Sequence, residues 1–368
     1  MGNEFISVKE IARQTLPRLI ENLVFPNLIH KDYSNDFVAG KGAKIQVKKP
    51  VVLTAEEFDE SAGTTPQNIK EQSVEVSLDK LATVDVEFGA IERVVNVDDL
   101  NRLFVIPAAE ALAQKINSDG LELYKDIPYV SGKAGTTPSA LTDLAAVRKA
   151  LNANKVPTSD RKAIWDTEAD AKFTTIDAIV NAEKSGTTQA LREGSIGRVF
   201  GLDNYMSQAI KTHKKGTLSA AVKPKASTSA GATNLTLSAA AVTGTLVKGD
   251  ILTILGDTYV VKSDATAADN EITVSIYPAL KKDVTTATAV SVADNHTANL
   301  AFNPNAFAFV TRPLAAPSGV ESYVTSHNGV TLRVVKGYDM KYKKDMLSMD
   351  VLYGYKTMYE ELALRVMG

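Results

Sequence analysis

Residues 194–207 read GSIGRVFGLDNYMS, and residues 299–314 read NLAFNPNAFAFVTRPL. Both blocks mix aromatic and aliphatic residues, as segments that form a hydrophobic core do. Between the blocks the only aromatic residues are Tyr259 and Tyr277, and the composition turns to Ala, Ser, Thr and Gly. This change of composition predicts one domain that is interrupted by a second one.

The overall composition is that of a globular protein with two or three domains. The chain has 368 residues, of which 44% are hydrophobic and 23% are charged, and a domain usually holds about 100–200 residues. With 41 basic and 43 acidic residues the net charge is −2. That balance argues against a dedicated nucleic-acid binder, which would carry a basic excess. It suits self-association, because little like-charge repulsion opposes it.

The chain contains no cysteine, which excludes disulfides, thiolate nucleophiles and cysteine metal sites. Its fold therefore needs no oxidising compartment, which is consistent with the cytoplasm. The first residues lack the basic and apolar pattern of a signal peptide. No run of about 18 apolar residues predicts a membrane span.

Patterns that would indicate catalysis are weak. The four histidines, His30, His213, His296 and His327, lie far apart in the sequence and lack the spacing of metal ligands. No Gly-x-Ser-x-Gly motif is present, so the nucleophile elbow of the α/β-hydrolases is absent. We therefore predict no catalytic, cofactor-binding or metal-binding residues.

Three glycines of the first block, Gly194, Gly197 and Gly201, could suggest a phosphate cradle. Their spacing is not that of a dinucleotide-binding turn, and no Gly-Lys-Ser/Thr follows. We predict instead that they supply positive φ angles or allow a close approach of the backbone.

An amphipathic helix is predicted near the start of the chain. Its apolar stripe includes Ile11, Leu16, Leu19 and Ile20. The helix could pack on the core of its own chain, or it could be an arm that packs on a partner subunit. The sequence leaves both interpretations open.

Two long strands with an acidic tip are predicted next. The return strand alternates from residue 73 to residue 88 and would span about 50 Å if continuous, at about 3.3 Å per residue. A two-stranded ribbon of that length is marginally stable alone, so a sheet of the same chain or a neighbouring subunit must cover its apolar face. The tip, residues 55–68, is a predicted inter-subunit contact through Glu56, Glu57, Asp59 and Glu60.

Further elements follow from local patterns. We predict helices in residues 96–126 and 141–153, a short buried strand at 162–165, and strands from residue 329 to the end. Within 214–298, about five short strands with glycine turns predict a small β-barrel or sandwich.

The two blocks, together with Asp350-Val351-Leu352-Tyr353-Gly354 near the end, resemble the coat proteins of tailed bacteriophages. Within that family, they resemble the branch whose shell subunit carries an extra inserted domain. The resemblance implies an α+β major capsid fold with five parts. These parts are an N-terminal arm (1–38), an extended β-hairpin (39–92), a peripheral domain (93–135 and 329–368) with a spine helix within 96–127, an axial domain (136–213 and 299–328), and an inserted all-β barrel or sandwich (214–298).

The resemblance also implies a function. The chain would be a non-enzymatic subunit, without cofactor, that forms hexamers and pentamers of an icosahedral shell around double-stranded DNA, which it contacts non-specifically. A scaffolding protein would direct a precursor shell that later matures, a portal and optionally a decoration protein would join it, and no membrane would be involved. Assembly would occur in the host cytoplasm, and the product would be the virion capsid.

Two alternatives stay open. The first is an encapsulin-like shell of a bacterial nanocompartment, against which the β insert argues because such shells usually lack one. The second is a secreted binding protein with an Ig-like module, against which the lack of a signal peptide argues.

Overall fold

The structure, a computed structural model, describes residues 8–31, 44–49, 72–89, 105–181, 192–219, 221–341 and 344–368. The chain divides into two compact units, each built from separate stretches of sequence. Unit 1 combines Met1–Arg18, Lys31–Leu112 and Ala308–Met358, and unit 2 combines Leu19–His30, Ala113–Phe307 and Tyr359–Gly368.

Helices are confined to the first half of the described chain, apart from short 3-10 turns. The α-helices are α1 (Val8–Asn22), α2 (Ile106–Leu121), α3 (Leu141–Ala153), α4 (Thr167–Thr174) and α5 (Asp177–Val180). The 3-10 helices are Phe25–Leu28, Glu122–Asp126, Pro304–Ala306 and Glu360–Leu362. Helix α2 has Pro107 in its first turn, where the missing N–H of proline has no helical partner to lose.

Strands make up most of the rest. The first are β1 (Lys44–Lys49), β2 (Gln72–Ser77), β3 (Lys80–Gly89), β4 (Val130–Gly132), β5 (Arg161–Trp165), β6 (Arg198–Val199), β7 (Leu202–Met206) and β8 (Thr212–His213). The next are β9 (Lys223–Pro224), β10 (Asn234–Ser238), β11 (Thr245–Leu246), β12 (Ile251–Ile254), β13 (Asp257–Val261), β14 (Ala265–Thr266), β15 (Glu271–Tyr277) and β16 (Val290–Val292). The last are β17 (His296–Phe302), β18 (Phe307–Arg312), β19 (Glu321–His327), β20 (Val330–Asp339), β21 (Lys344–Thr357) and β22 (Ala363–Met367).

Unit 1 is organised around the long strand β21. The sheet order is β18-β21-β20-β19, and β3 also pairs with β21, antiparallel over ten residues. Alternate residues of β21, such as Leu347, Met349, Val351 and Tyr353, are buried. The strands predicted from residue 329 onward are therefore present, and β21 buries alternate apolar side chains.

The predicted continuous ribbon is interrupted. Strand β2 pairs with β1, but the ladder stops at Leu78 and Asp79, and β3 then joins β21 instead. Val76 and Leu78 are buried while Glu75 and Asp79 are exposed, as the alternation predicts. A sheet of the same chain therefore pairs with the second half of the predicted ribbon. This pairing stabilises that half without a neighbouring subunit.

The segment 350–354 has a specific role in unit 1. Asp350 lies opposite Arg333 on β20 and accepts a hydrogen bond of 2.9 Å from its Nε. Gly354 lies where the backbone of β2 crosses β21, and a Cβ there would overlap the carbonyl oxygen of Ser77. The motif thus combines a cross-strand ion pair, two core residues and a glycine that the close approach requires.

Unit 2 contains a seven-stranded sheet that joins the two blocks quoted at the start. Its order is β4-β22-β17-β5-β7-β6, with β8 paired to β17. Strand β7 of the first block runs parallel to β5 on one side, and β17, which includes the start of the second block, runs antiparallel to it on the other. Helices α3 and α4 contribute to a common core with this sheet, in which the Trp165 and Phe173 rings pack edge to face at 4.9 Å.

The chain between β8 and β17 forms its own sheet. Residues 222–292, here called the β unit, contain a six-stranded sheet of order β16-β12-β13-β15-β10-β9 and the two-stranded pair β11-β14. A separate core fills it, with Leu237, Leu252, Val261 and Val274 fully buried. The predicted boundary at 214 falls directly after β8, and that at 298 falls within β17. Whether the β unit corresponds to the inserted domain of the phage branch stays a prediction.

Candidate assembly surfaces and a buried polar junction

Helix α1 carries the predicted arm contacts. Leu16 and Leu19 are buried, whereas Ile11 and Ile20 are partly exposed. Within unit 1, the Thr15 hydroxyl lies 4.0 Å from the sulfur of Met349, and the Lys9 ammonium lies 6.0 Å from the ring of Tyr323. These contacts favour packing of this face on the same chain, and contact of Ile11 and Ile20 with a neighbouring subunit stays a prediction.

The acidic tip lies outside the described residues. Glu56, Glu57, Asp59 and Glu60 therefore keep their predicted role as an inter-subunit contact.

The β6–β7 hairpin exposes three large apolar side chains, Phe200 (39% exposed), Tyr205 (39%) and Met206 (41%). The expectation that the first block is core-forming is thus only partly right, since Ile196 and Leu202 are buried but these three are not. Such residues are typical anchors of protein–protein interfaces.

Hydrogen bonds of the Asn204 side chain fix the backbone of this hairpin. The Asn204 side chain accepts a hydrogen bond of 2.9 Å from the Trp165 indole and donates one of 2.9 Å to the carbonyl of Gly197. Gly194, Gly197 and Gly201 have φ of 67°, 67° and 79°, which confirms their predicted positive angles. The hairpin therefore presents its apolar side chains on a fixed base at the edge of the sheet.

A buried polar junction links the β unit to the seven-stranded sheet. Its members are Tyr124, His213, Asp250, His296 and Arg365. An apolar contact of Ile251 and Val260 with Met367 lies beside it. Hence the β unit is held by both apolar packing and buried polar groups.

Arg365 is the fully buried cation of the junction. Its Nη1 donates to the carbonyl of Gly249 at 2.8 Å, its Nη2 donates to the carbonyls of Tyr124 and Ile127, and its guanidinium lies over the Tyr124 ring at 4.9 Å. Burial lowers the pKa of Arg365 to about 10. It therefore stays charged at neutral pH and binds three backbone carbonyls.

Asp250 is the buried anion of the junction. It accepts hydrogen bonds from the His213 ring at 2.9 Å, from the Gly216 amide at 3.1 Å and from the Val247 amide at 2.8 Å. The other ring nitrogen of His213 lies 3.1 Å from the Tyr124 hydroxyl. A hydroxyl can donate or accept, so His213 has suitable partners in both its neutral and its protonated form.

His296 has different surroundings. Its Nδ1 lies 2.7 Å from the carbonyl oxygen of Asp294, which only accepts, so Nδ1 carries the proton. Its Nε2 faces Arg365 Nη1 at 3.5 Å. Burial, and then the charge of Arg365, lower the pKa of His296 to about 4.

Two further contacts join the β unit to residues that flank strands of the seven-stranded sheet. The Tyr277 hydroxyl donates to Glu361 at 2.9 Å, and the Lys281 ammonium lies 5.9 Å from the Tyr129 ring. Burial raises the pKa of Tyr129 to about 12 and raises that of Tyr277 further. Both hydroxyls therefore stay protonated at neutral pH.

The junction could not be predicted from the sequence. His213 and His296 are far apart in the chain, but they lie opposite each other where β8 pairs with β17, with ring centroids 5.3 Å apart. One signal was available, because the two histidines lie close to the predicted boundaries of the interruption. Arg365 and Asp250 gave no signal of their own.

Neither a metal centre nor a membrane helix is found in the described part of the chain. Within it, no group of three or more His, Cys, Asp or Glu side chains could hold a metal ion. No helix among the same residues is long and apolar enough to cross a membrane.

Two solved structures are similar to this chain over almost its whole length. A structure from Mycobacterium phage Che8 is 16% identical, covers 94% of this chain and 90% of its own, and has a TM-score of 0.54. The capsid structure of the Cyanophage P-SCSP1u is 14% identical, covers 94% of this chain and 88% of its own, and has a TM-score of 0.51. No protein-family model matches the chain, and neither does any curated protein.

The chain therefore has the α+β fold of tailed-phage capsid proteins, as the resemblance of the two blocks and of segment 350–354 predicts. At these identities the likeness concerns the fold, which many functions can share.

Proposed function

We propose that this chain is a major capsid subunit, which assembles through hexamers and pentamers into an icosahedral shell around double-stranded DNA. The observation that carries the proposal is the fold likeness over 94% of the chain, including the likeness to a phage capsid. The exposed apolar side chains of the β6–β7 hairpin support it, because a shell subunit must bury such residues against copies of itself.

The family resemblance supports several finer parts of the proposal. A scaffolding protein directs a precursor shell that matures, and a portal and optionally a decoration protein join it. The DNA is contacted non-specifically, which the net charge of −2 favours, since a container must not hold its contents tightly. Assembly takes place in the host cytoplasm, and the product is the virion capsid. The subunit has no enzymatic role.

The five-part division of the chain belongs to the same proposal. The arm, hairpin, peripheral and axial domains follow the residue ranges given above, and the β unit takes the place of the inserted domain. Its separate core supports this assignment. Its role would be to stabilise the subunit or to brace neighbouring subunits.

The β6–β7 hairpin offers a sharp test with a matched control. Phe200 and Leu255 both precede a glycine in two-residue turns, with φ of 50° and 51°, and the following glycines have φ of 79° and 83°. Asn-Gly is the preferred sequence of such turns, because both residues need positive φ. Replacing either residue by Asn should therefore keep or raise the melting temperature of the subunit.

Assembly should distinguish the two variants. Phe200→Asn removes the apolar tip at the edge of the seven-stranded sheet, so sedimentation velocity should show fewer and slower-forming large particles. Leu255→Asn makes the same exchange in the β unit and should assemble more nearly like the unaltered protein. Equal assembly of Phe200→Asn and unaltered protein would contradict a role of this hairpin in the shell.

A further inference from the structure

The polar junction has an uneven response to protons, which follows from its geometry. Asp250 and the Tyr124 hydroxyl can accept both N–H groups of a protonated His213. His296 has one acceptor, the Asp294 carbonyl, which its Nδ1–H already occupies. A second proton on its Nε2 would face the Nη1–H of Arg365, so two donors and two positive charges would meet in a buried site.

We propose that the polar junction is a proton-operated latch: neutral His296 accepts from Arg365, Arg365 in turn holds Gly249 of the β unit, and protonation of His296 in mildly acidic solution displaces Arg365 and releases that contact. The position of the junction suits this role. Arg365 on β22 donates to Gly249, Asp250 bonds His213 on β8, and both contacts connect the sheet to the segment that begins β12. Movement of Arg365 away from His296 breaks the bond to Gly249 and leaves Nε2 of His296 free to take the proton.

The acidic groups around His296 already have partners, so His296 is the group whose protonation is expected to change with pH. From the 3-10 helix Glu122–Asp126, Glu122 pairs with Lys211 and Asp126 with Lys248, and from the loop before β17 the Asp294 carboxylate pairs with Lys215. Asp250 attracts a proton on His296 but already bonds His213 and two amides. Arg365 and His213 repel it.

The direction and size of the effect follow from linkage. His296 binds its proton more weakly in the closed junction than in the open one, so the closed form is favoured above pH 6.5 and loses that advantage as the pH falls towards 4. With a closed pKa of about 4 against an ordinary value of 6.5, the open population should rise roughly 30-fold at pH 5 relative to pH 8.

Amide hydrogen exchange on the full-length protein tests the latch. Protection factors of peptides covering 211–217, 247–252 and 295–299 should fall between pH 7.5 and pH 5, while β10 and β15 inside the β unit stay protected. His296→Gln keeps a carbonyl acceptor for Arg365 but does not titrate, so its junction should stay protected at pH 5. His327→Gln removes an exposed histidine at the end of β19 and should behave like the unaltered protein.

The proposal is overturned if the unaltered junction keeps its protection at pH 5, or if His296→Gln loses it as the unaltered protein does. Should His296→Gln fail to fold, the exchange of the ring Cε1 hydrogen of each histidine gives the same answer without a variant. That measurement should place the pKa of His296 well below its ordinary value of 6.5. A pKa of His296 at its ordinary value would show that the junction does not resist the proton.

Discussion

Single glycines in this chain allow two strands to approach each other closely. Gly354 is the clearest case, because a side chain at that position would overlap the Ser77 carbonyl of β2. Gly337 on the neighbouring strand β20 has no atom within 4 Å of the place a Cβ would occupy. The two glycines therefore form a natural comparison between a required and a tolerant position.

We expect Gly354→Ala to destabilise the subunit by about 1–3 kcal/mol, the range for overpacking a close contact. Gly337→Ala should change stability by less than about 0.5 kcal/mol, as an exchange at an open site does. Chemical denaturation of the two variants under conditions that keep the subunit unassembled provides the comparison. Similar losses in both would show that β2 does not cross β21 at Gly354 as closely as described.

Helices, strands and turns could be predicted where the residues that determine them lie close together in the sequence. The helix predicted at 141–153 matches α3. The short strands with glycine turns predicted within 214–298 include β10, β12 and β13, with Gly256 in the turn between β12 and β13. Each of these has its periodicity and its turn residues within one short stretch of sequence.

The pairing of strands that are far apart in the sequence could not be predicted in this way. Nothing in residues 73–88 marks the change of partner from β1 to β21, because both halves of the ribbon show the same alternation. Strand β22 pairs with β17 and β4 although β21 precedes it directly in the chain. The polar junction depends on the pairing of β17 with β22 and with β8, so it could not be found before the sheet order was known.

The role of the acidic hairpin tip can be tested by neutralising its charges. Replacing Glu56, Glu57, Asp59 and Glu60 by Gln or Asn should leave the melting temperature of the subunit nearly unchanged, since exposed charges contribute about 0–1 kcal/mol each. Shell formation should become slower or weaker, because the charges are predicted to meet basic groups of a neighbour. Light scattering at several salt concentrations should show the largest difference at low salt, where screening is weakest. Unaltered assembly at every salt concentration would assign the tip to solvent.

For the whole molecule, three features fit the shell subunit that we propose. Its net charge is −2, so assembly meets little electrostatic repulsion. Its β6–β7 hairpin exposes apolar anchors on a fixed base. Its β unit is connected to the sheet by a buried junction, for which we propose a response to pH. All three properties would be useful in the proposed shell, which must form from separate subunits and then hold together.

Electron microscopy of the purified protein, with and without a scaffolding protein, shows whether it forms a shell. We expect closed particles with fivefold and sixfold clusters of this subunit, and dense DNA cores when the particles come from packaging conditions. Closed shells that hold protein cargo and never DNA would indicate a nanocompartment instead. A stable monomer at high concentration, even with scaffold supplied, would contradict the shell-subunit account altogether.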